Sequence, residues 1–254
     1  MSALGIAGII FVCVFGAALI GMLLSMTLPK HHLADDSKET VKLVMGLIAT
    51  MAALVLSLLV ASAKTSYDSQ SSAITQLSAN VVLVDRELSL YGTEASEARV
   101  HLREAVAGMI DRIWPRDRTR GADLAPPAAQ GTPLGAFYMA VQNLSPRTDG
   151  QRFIQGQVLQ TLASTGQTRM LMYEQASNSI SWPFLGVLVF WLCVLFAGFG
   201  LFAARNATTI TVLLVGALSV AGAIFLILEL STPYEGVLQI SSAGLRNALA
   251  EVGK

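Results

Sequence analysis

Four stretches of the chain stay apolar for about 20 residues or more, the length a helix needs to cross a hydrocarbon layer roughly 30 Å thick. They are 4–28, 41–63, 184–204 and 209–230, and each is predicted to be a transmembrane helix. Between the second and third lies a polar region, 64–182, whose apolar residues return at three-, four- and seven-residue steps instead of alternating. That spacing, with little strand signal, predicts a helical extramembrane domain inserted into the membrane part. The closing segment, 231–254, opens on Thr232-Pro233-Tyr234-Glu235-Gly236, which ends a helix, and carries a short helical pattern over 240–252. The fold class that follows is an all-α integral membrane protein.

The second span carries the most information. At 100° per residue, Lys42, Gly46, Thr50, Ala53, Ser57 and Lys64 share roughly an 80° arc. The opposite side holds Leu43, Leu47, Met51, Leu54, Leu58 and Leu59. One face is thus small and hydroxyl-bearing with a lysine at each end, and the other is greasy. The small face reads as a pore lining for an anion, with ammonium and hydroxyl donors along it. It reads equally as a packing face for neighbouring helices, its lysines snorkelling to the two interfaces.

Other membrane positions are weighed the same way. In the first span Ala17, Gly21 and Ser25 recur every four residues, a small-residue stripe that admits a close neighbour, expected to be the second span across the turn 29–40. His31 and His32 in that turn are adjacent, point in different directions, and read as solvated instead of metal-binding or proton-sensing. Trp182-Pro183 marks the return to the membrane, tryptophan at headgroup level and proline in a first helical turn. Tyr234 is expected as a second interface anchor. Glu229 is the one carboxylate inside an apolar span. It is a functional candidate by default, or an interfacial group paired with Lys64.

In the insert, Tyr67, Ile74, Leu77, Val81, Val84, Leu88 and Tyr91 make a heptad-like seam on a helix continuing outward from the second span. Such a seam is usually core, and its sharper alternative is a docking face for a partner protein. Gly92 closes it. A second helix starts over 93–97, uses Ala98, Leu102, Ala105, Met109 and Ile113 as its apolar face, and stops before Pro115. The loop 115–133 follows. Arg112, Arg116, Arg118 and Arg120 interleave there with Asp111, Asp117 and Asp123, which reads as a self-neutralised loop, an anionic or lipid-headgroup site being the alternative. Helices are expected over 134–143 and 149–176, the latter with Phe153, Ile154, Leu159, Leu162, Met170 and Tyr173 as apolar contacts.

Composition narrows the function classes. The 254 residues are 53% hydrophobic and only 13% charged, with a formal net charge of zero. Soluble chains carry about 25% charged residues. No basic excess or nucleic-acid motif points to DNA or RNA as a partner. The two cysteines, Cys13 and Cys193, fall inside apolar spans and read as buried small hydrophobes. There is no Gly-rich phosphate loop, HExxH or GxSxG, so no catalytic residue, metal site or cofactor is expected and an enzyme is disfavoured. Nor do the spans show the paired helix breaks of a secondary transporter. Lysine and arginine counts near the short turns and the insert nearly balance, and charge alone does not orient the protein.

Leu28-Pro29-Lys30-His31-His32-Leu33, the following apolar helix with Tyr67-Asp68, Trp182-Pro183, and Glu229-Leu230-Ser231-Thr232-Pro233-Tyr234-Glu235-Gly236 with Ile240-Ser241 together resemble the bacterial bestrophin-like family. The likeness covers nearly the whole chain. It is similar in layout, more distantly, to bestrophins, pentameric anion channels whose second span lines the pore. The resemblance implies a homo-oligomer, with a pentamer first, in a bacterial inner membrane. The helical domain and both termini would then be cytoplasmic, and inorganic anions would be the permeant partners. The aromatic-and-isoleucine neck of bestrophins has no counterpart in 41–63, and their acidic calcium clasp is missing too. A non-conducting membrane scaffold or sensor, whose helical domain binds a partner through the seam, is the alternative function.

Overall fold

A computed structural model of the chain describes residues 2–27, 35–115, 121–125, 132–177 and 182–253, with no side-chain description at 35–38 and 177. His31 and His32, and Arg116, Asp117, Arg118 and Arg120 of the charged loop, lie outside the described residues. The described elements are all helical: α1 (Ala3–Thr27), α2 (Asp35–Tyr91), α3 (Ser96–Ile113), α4 (Pro133–Gln142), α5 (Asp149–Ser177), α6 (Trp182–Phe202), α7 (Ala207–Ser231) and α8 (Ala243–Glu251). Four of them, α1, α2, α6 and α7, are long and apolar enough to cross a membrane. The chain forms two compact units, Met1–Thr65 with Ser179–Ser231, and Ser66–Asn178 with Thr232–Lys254. Helix α2 belongs to both.

In the membrane unit, α1 packs on α6 and α7. Two glycines set this arrangement. A Cβ on Gly21 would land on the Ala197 carbonyl of α6, and one on Gly200 of α6 would land on the Ala18 carbonyl of α1. Reciprocal glycines let the two backbones approach as no larger residue would allow. The small stripe on α1 therefore meets α6, not the second span as expected from proximity along the chain. The reason is that α6 carries the matching glycine, whereas Gly46 of α2 has open space beside it. Arg205, in the turn between α6 and α7, donates to Ser25 Oγ at 2.9 Å and ties that turn to the end of α1. Asn206 caps α7, its Oδ1 accepting from the Thr209 amide at 2.8 Å. Cys13, expected to be buried, is exposed on α1, and Cys193 is half-buried.

The helical unit is built on the seam of α2. Ile74, Leu77, Val81, Val84, Leu88 and Tyr91 are all buried, Leu77 and Leu88 completely, while Tyr67 packs at the margin. Their partners come from this chain: Leu102, Val106 and Ile110 of α3, Phe137 and Val141 of α4, Val158 and Met172 of α5, and Leu245 and Ala248 of α8. The seam is thus used up in an internal core and offers no docking face. Gly92 takes φ +120°, a left-handed conformation that glycine adopts without strain, and so turns the chain into α3. Thr132 caps α4, accepting from the Gly135 amide at 3.2 Å, with Pro133 in its first turn.

Two apolar faces differ from expectation by a register. On α3 the buried stripe is Ala98, Leu102, Val106, Ile110 and Ile113, with Ala105 and Met109 only flanking it. On α5, Ile154, Leu159 and Leu162 pack against the core as expected, but Val158 and Met172 are the buried residues, and Phe153, Met170 and Tyr173 are exposed. Both helices are so rich in small and polar residues that several stripes compete, and the one facing α2 wins because it meets the seam. Tyr234 is also corrected. It is 7% exposed, inside the helical core instead of at a headgroup surface. Its hydroxyl donates to Gln70 Oε1 at 2.6 Å and its ring meets Trp114 edge-to-face at 5.9 Å.

Candidate functional site

The residues of the membrane half of α2 sort into three faces, not two. Met45, Ala52 and Ala63 are buried, with Ile48, Ala49, Val55, Leu56 and Leu59 beside them against the membrane core. Met45 reaches to Gly198 of α6, where the absent side chain leaves it room. This packed stripe lies roughly 110° around the helix from the small face. Leu59, expected on the greasy side, belongs to it. Leu43, Leu47, Met51, Leu54 and Leu58 form the second face, and all are exposed.

The third face is the one of interest. Lys42, Gly46, Thr50, Ala53, Ser57 and Lys64 are every one exposed among the described residues. Lys42 and Lys64 are spaced by roughly 33 Å along the axis at 1.5 Å per residue, close to the thickness of the hydrocarbon layer. The two hydroxyls between them are not equivalent. Thr50 Oγ1 donates to the Leu47 carbonyl one turn back, at 2.8 Å, so its proton is engaged by the helix itself. Ser57 Oγ has no such bond among the described residues, and its proton is free for a ligand. Glu229, near the end of α7, is 4% exposed in the core of the membrane unit, while Lys64 is exposed on α2.

The helical unit contributes ordered polar chemistry. Gln70, 1% exposed, donates through Nε2 to the Met172 carbonyl at 2.9 Å and accepts from Tyr234, so one amide links α2, α5 and the segment after α7. Burial pushes the Tyr234 phenol well above its ordinary value, which keeps it a hydrogen-bond donor. Asp85 and Arg99 join α2 to α3 through two parallel bonds of 2.8 and 3.0 Å. In the charged loop, Arg112 pairs with Asp123 at 2.6 Å and also donates to the Ala125 carbonyl. That guanidinium holds the Asp123 carboxyl below its usual value, and this part of the loop is internally neutralised.

A family model described as a bestrophin-like domain matches residues 12–245. Comparison with curated proteins finds no match, and neither does comparison with solved structures.

Proposed function

The chain belongs to the bestrophin-like family, and from that premise we propose that it is a homo-oligomeric, anion-leaning ion channel whose path is lined by the small face of α2. The observation that carries the reading is that this face is exposed among the described residues while a lysine stands at each end of it. Around a symmetry axis of identical subunits, five being the first expectation from the family, such faces would converge. They would put ammonium collars at the two mouths and small residues between. An anion is held there weakly enough to leave again. The exposed leucine face of α2 is then the side for lipid or for the neighbouring subunit. Glu229 is assigned to pair with Lys64 and so to temper the charge of that mouth. The protein is read as a non-enzyme of the bacterial inner membrane with its helical domain and termini in the cytoplasm. The rival scaffold reading loses the surface it needed, because the seam is internal.

Planar-bilayer recording under a chloride gradient tests this reading. Lys42→Glu and Lys64→Glu are each expected to move the reversal potential toward cation preference, and unchanged reversal potentials in both would refute it. In a cysteine-free background, Thr50→Cys and Ser57→Cys should be blocked by a water-soluble thiol reagent, whereas Leu54→Cys and Leu58→Cys should not.

A further inference from the structure

The helical unit contains a cavity of about 1120 Å³ between α2, α3, α4 and α5. That is slightly above the range of about 300–1,000 Å³ usual for small-molecule sites. It reaches the surface, since Tyr138 and Met139 in its lining are 44% and 54% exposed. Its depths are apolar and fixed, with Val81, Val84, Leu102, Val106 and Phe137 all buried. Well-packed interiors leave few spaces of this size, so a large apolar cleft held open by four helices is a place for an apolar body.

Among the described residues, one charged side chain lines it, Arg169 on α5. Among the described residues nothing accepts a hydrogen bond from its half-buried guanidinium. The nearby carboxylate, Asp123, is already bound by Arg112 at 2.6 Å. Burial first and Arg112 second push the Arg169 guanidinium down, with Asp123 only partly opposing them. Arginine keeps its proton at neutral pH regardless, so among the described residues its charge is only partly offset, by Asp123, and an anion would relieve it. One turn earlier on the same face, Thr165 accepts from Asn80 at 3.1 Å, which leaves its own proton available to the cavity. On α5 the donors that stand together are one guanidinium fork and one hydroxyl.

We propose that this cavity binds a long-chain fatty acid, its carboxylate on Arg169 and Thr165 and its acyl chain among the valines, leucines and Phe137. A single carboxylate matches a single fork in two parallel bonds. A two-chain phospholipid brings a phosphate and a second acyl chain, where the site sets a single fork above a single apolar cleft. The proposal stands apart from the conduction path and does not rest on it.

The test uses the full chain in phosphatidylcholine nanodiscs, exposed to palmitic acid carrying a mid-chain diazirine, irradiated, and mapped by mass spectrometry. Adducts are expected on cavity-lining peptides of α3, α4 and α5 and should be competed by unlabelled palmitate. Arg169→Gln and Gly166→Leu should each lower cavity labelling about tenfold, the worth of one charge-assisted bond or of the lost space, with labelling of the membrane helices unchanged. Gly166 lines the cavity, and a Cβ there meets nothing within 4 Å. Leucine is also a better helix former than glycine, so this variant folds and keeps the test valid. Adducts confined to the membrane helices, equal labelling of both variants, or preferential labelling of the cavity by a diazirine phosphatidylcholine would each overturn the proposal.

Discussion

Thr50 and Ser57 differ by one hydrogen bond, and that difference is testable. A Thr50 hydroxyl committed to the Leu47 carbonyl offers an anion only its oxygen and methyl, whereas Ser57 offers a proton. Ser57→Ala is therefore expected to lower single-channel anion conductance up to about fivefold, the worth of one bond near 1 kcal/mol, and Thr50→Val to change it little. Unchanged conductance in both variants would show that neither hydroxyl touches the ion. Carboxylates of the helical unit respond to pH with opposite signs. Burial raises the Glu87 carboxyl, and its Oε2 is buried without a partner among the described residues. The folded state therefore loses stability as pH rises past the ordinary carboxylate value. Glu87→Gln should melt at or above the wild-type temperature at pH 7, with the difference vanishing at low pH. Asp123 runs the other way: its folded value is lowered, so its contribution is present above the ordinary carboxylate value and lost as pH falls through the folded one. Because its side chain is 53% exposed, Asp123→Asn should cost less than about 1 kcal/mol near neutrality.

Among elements, α1 and α6 depend on each other through Gly21 and Gly200. Gly200→Val is expected to push the helices apart at a cost of about 1–3 kcal/mol, read as lowered melting temperature in detergent, while Gly222→Val on α7, where a Cβ meets nothing, should be tolerated. The stripe on α1 was legible in the sequence because small residues every fourth position have few other uses. Its partner was not, since such a stripe marks a capacity for close approach and leaves open which helix answers it. For α2 the seam residues from Ile74 to Tyr91 could be read directly, because long apolar side chains at heptad spacing admit one face only. On α5 the same reasoning picked Phe153 and Tyr173, both exposed, over Val158. Size misled there: burial goes to the residue that faces the seam.

At the scale of the whole molecule, the order of four membrane-length helices, with a helical domain inserted between the second and third, follows from apolar run lengths, which are hard to hide in any sequence. The role of the closing segment does not. Tyr234, Ile240, Leu245 and Val252 complete the core of the helical unit from the far end of the chain, a pairing no local pattern announces. Tyr234→Phe should leave Gln70 Oε1 buried without its donor and cost about 1–3 kcal/mol in thermal stability. Asp85→Ala should cost a similar amount, about 1–3 kcal/mol, by removing both acceptors of the part-buried Arg99 fork. The candidate path was legible as a face of α2, yet its Thr50–Leu47 bond and its separation from the packed stripe needed coordinates. Both depend on rotamers and neighbours, not on spacing.

Helix α2 has no proline and a single glycine, Gly46, in all of Asp35–Tyr91. Without a proline its membrane half has few points at which to kink, so swivelling is the expected route to closure of the proposed path. A rotation of roughly 100° would replace Gly46, Ala53 and Ser57 at the axis with Leu47, Leu54 and Leu58. A wetted constriction would thereby become a dry one, and ions would be stopped by dewetting without any plug.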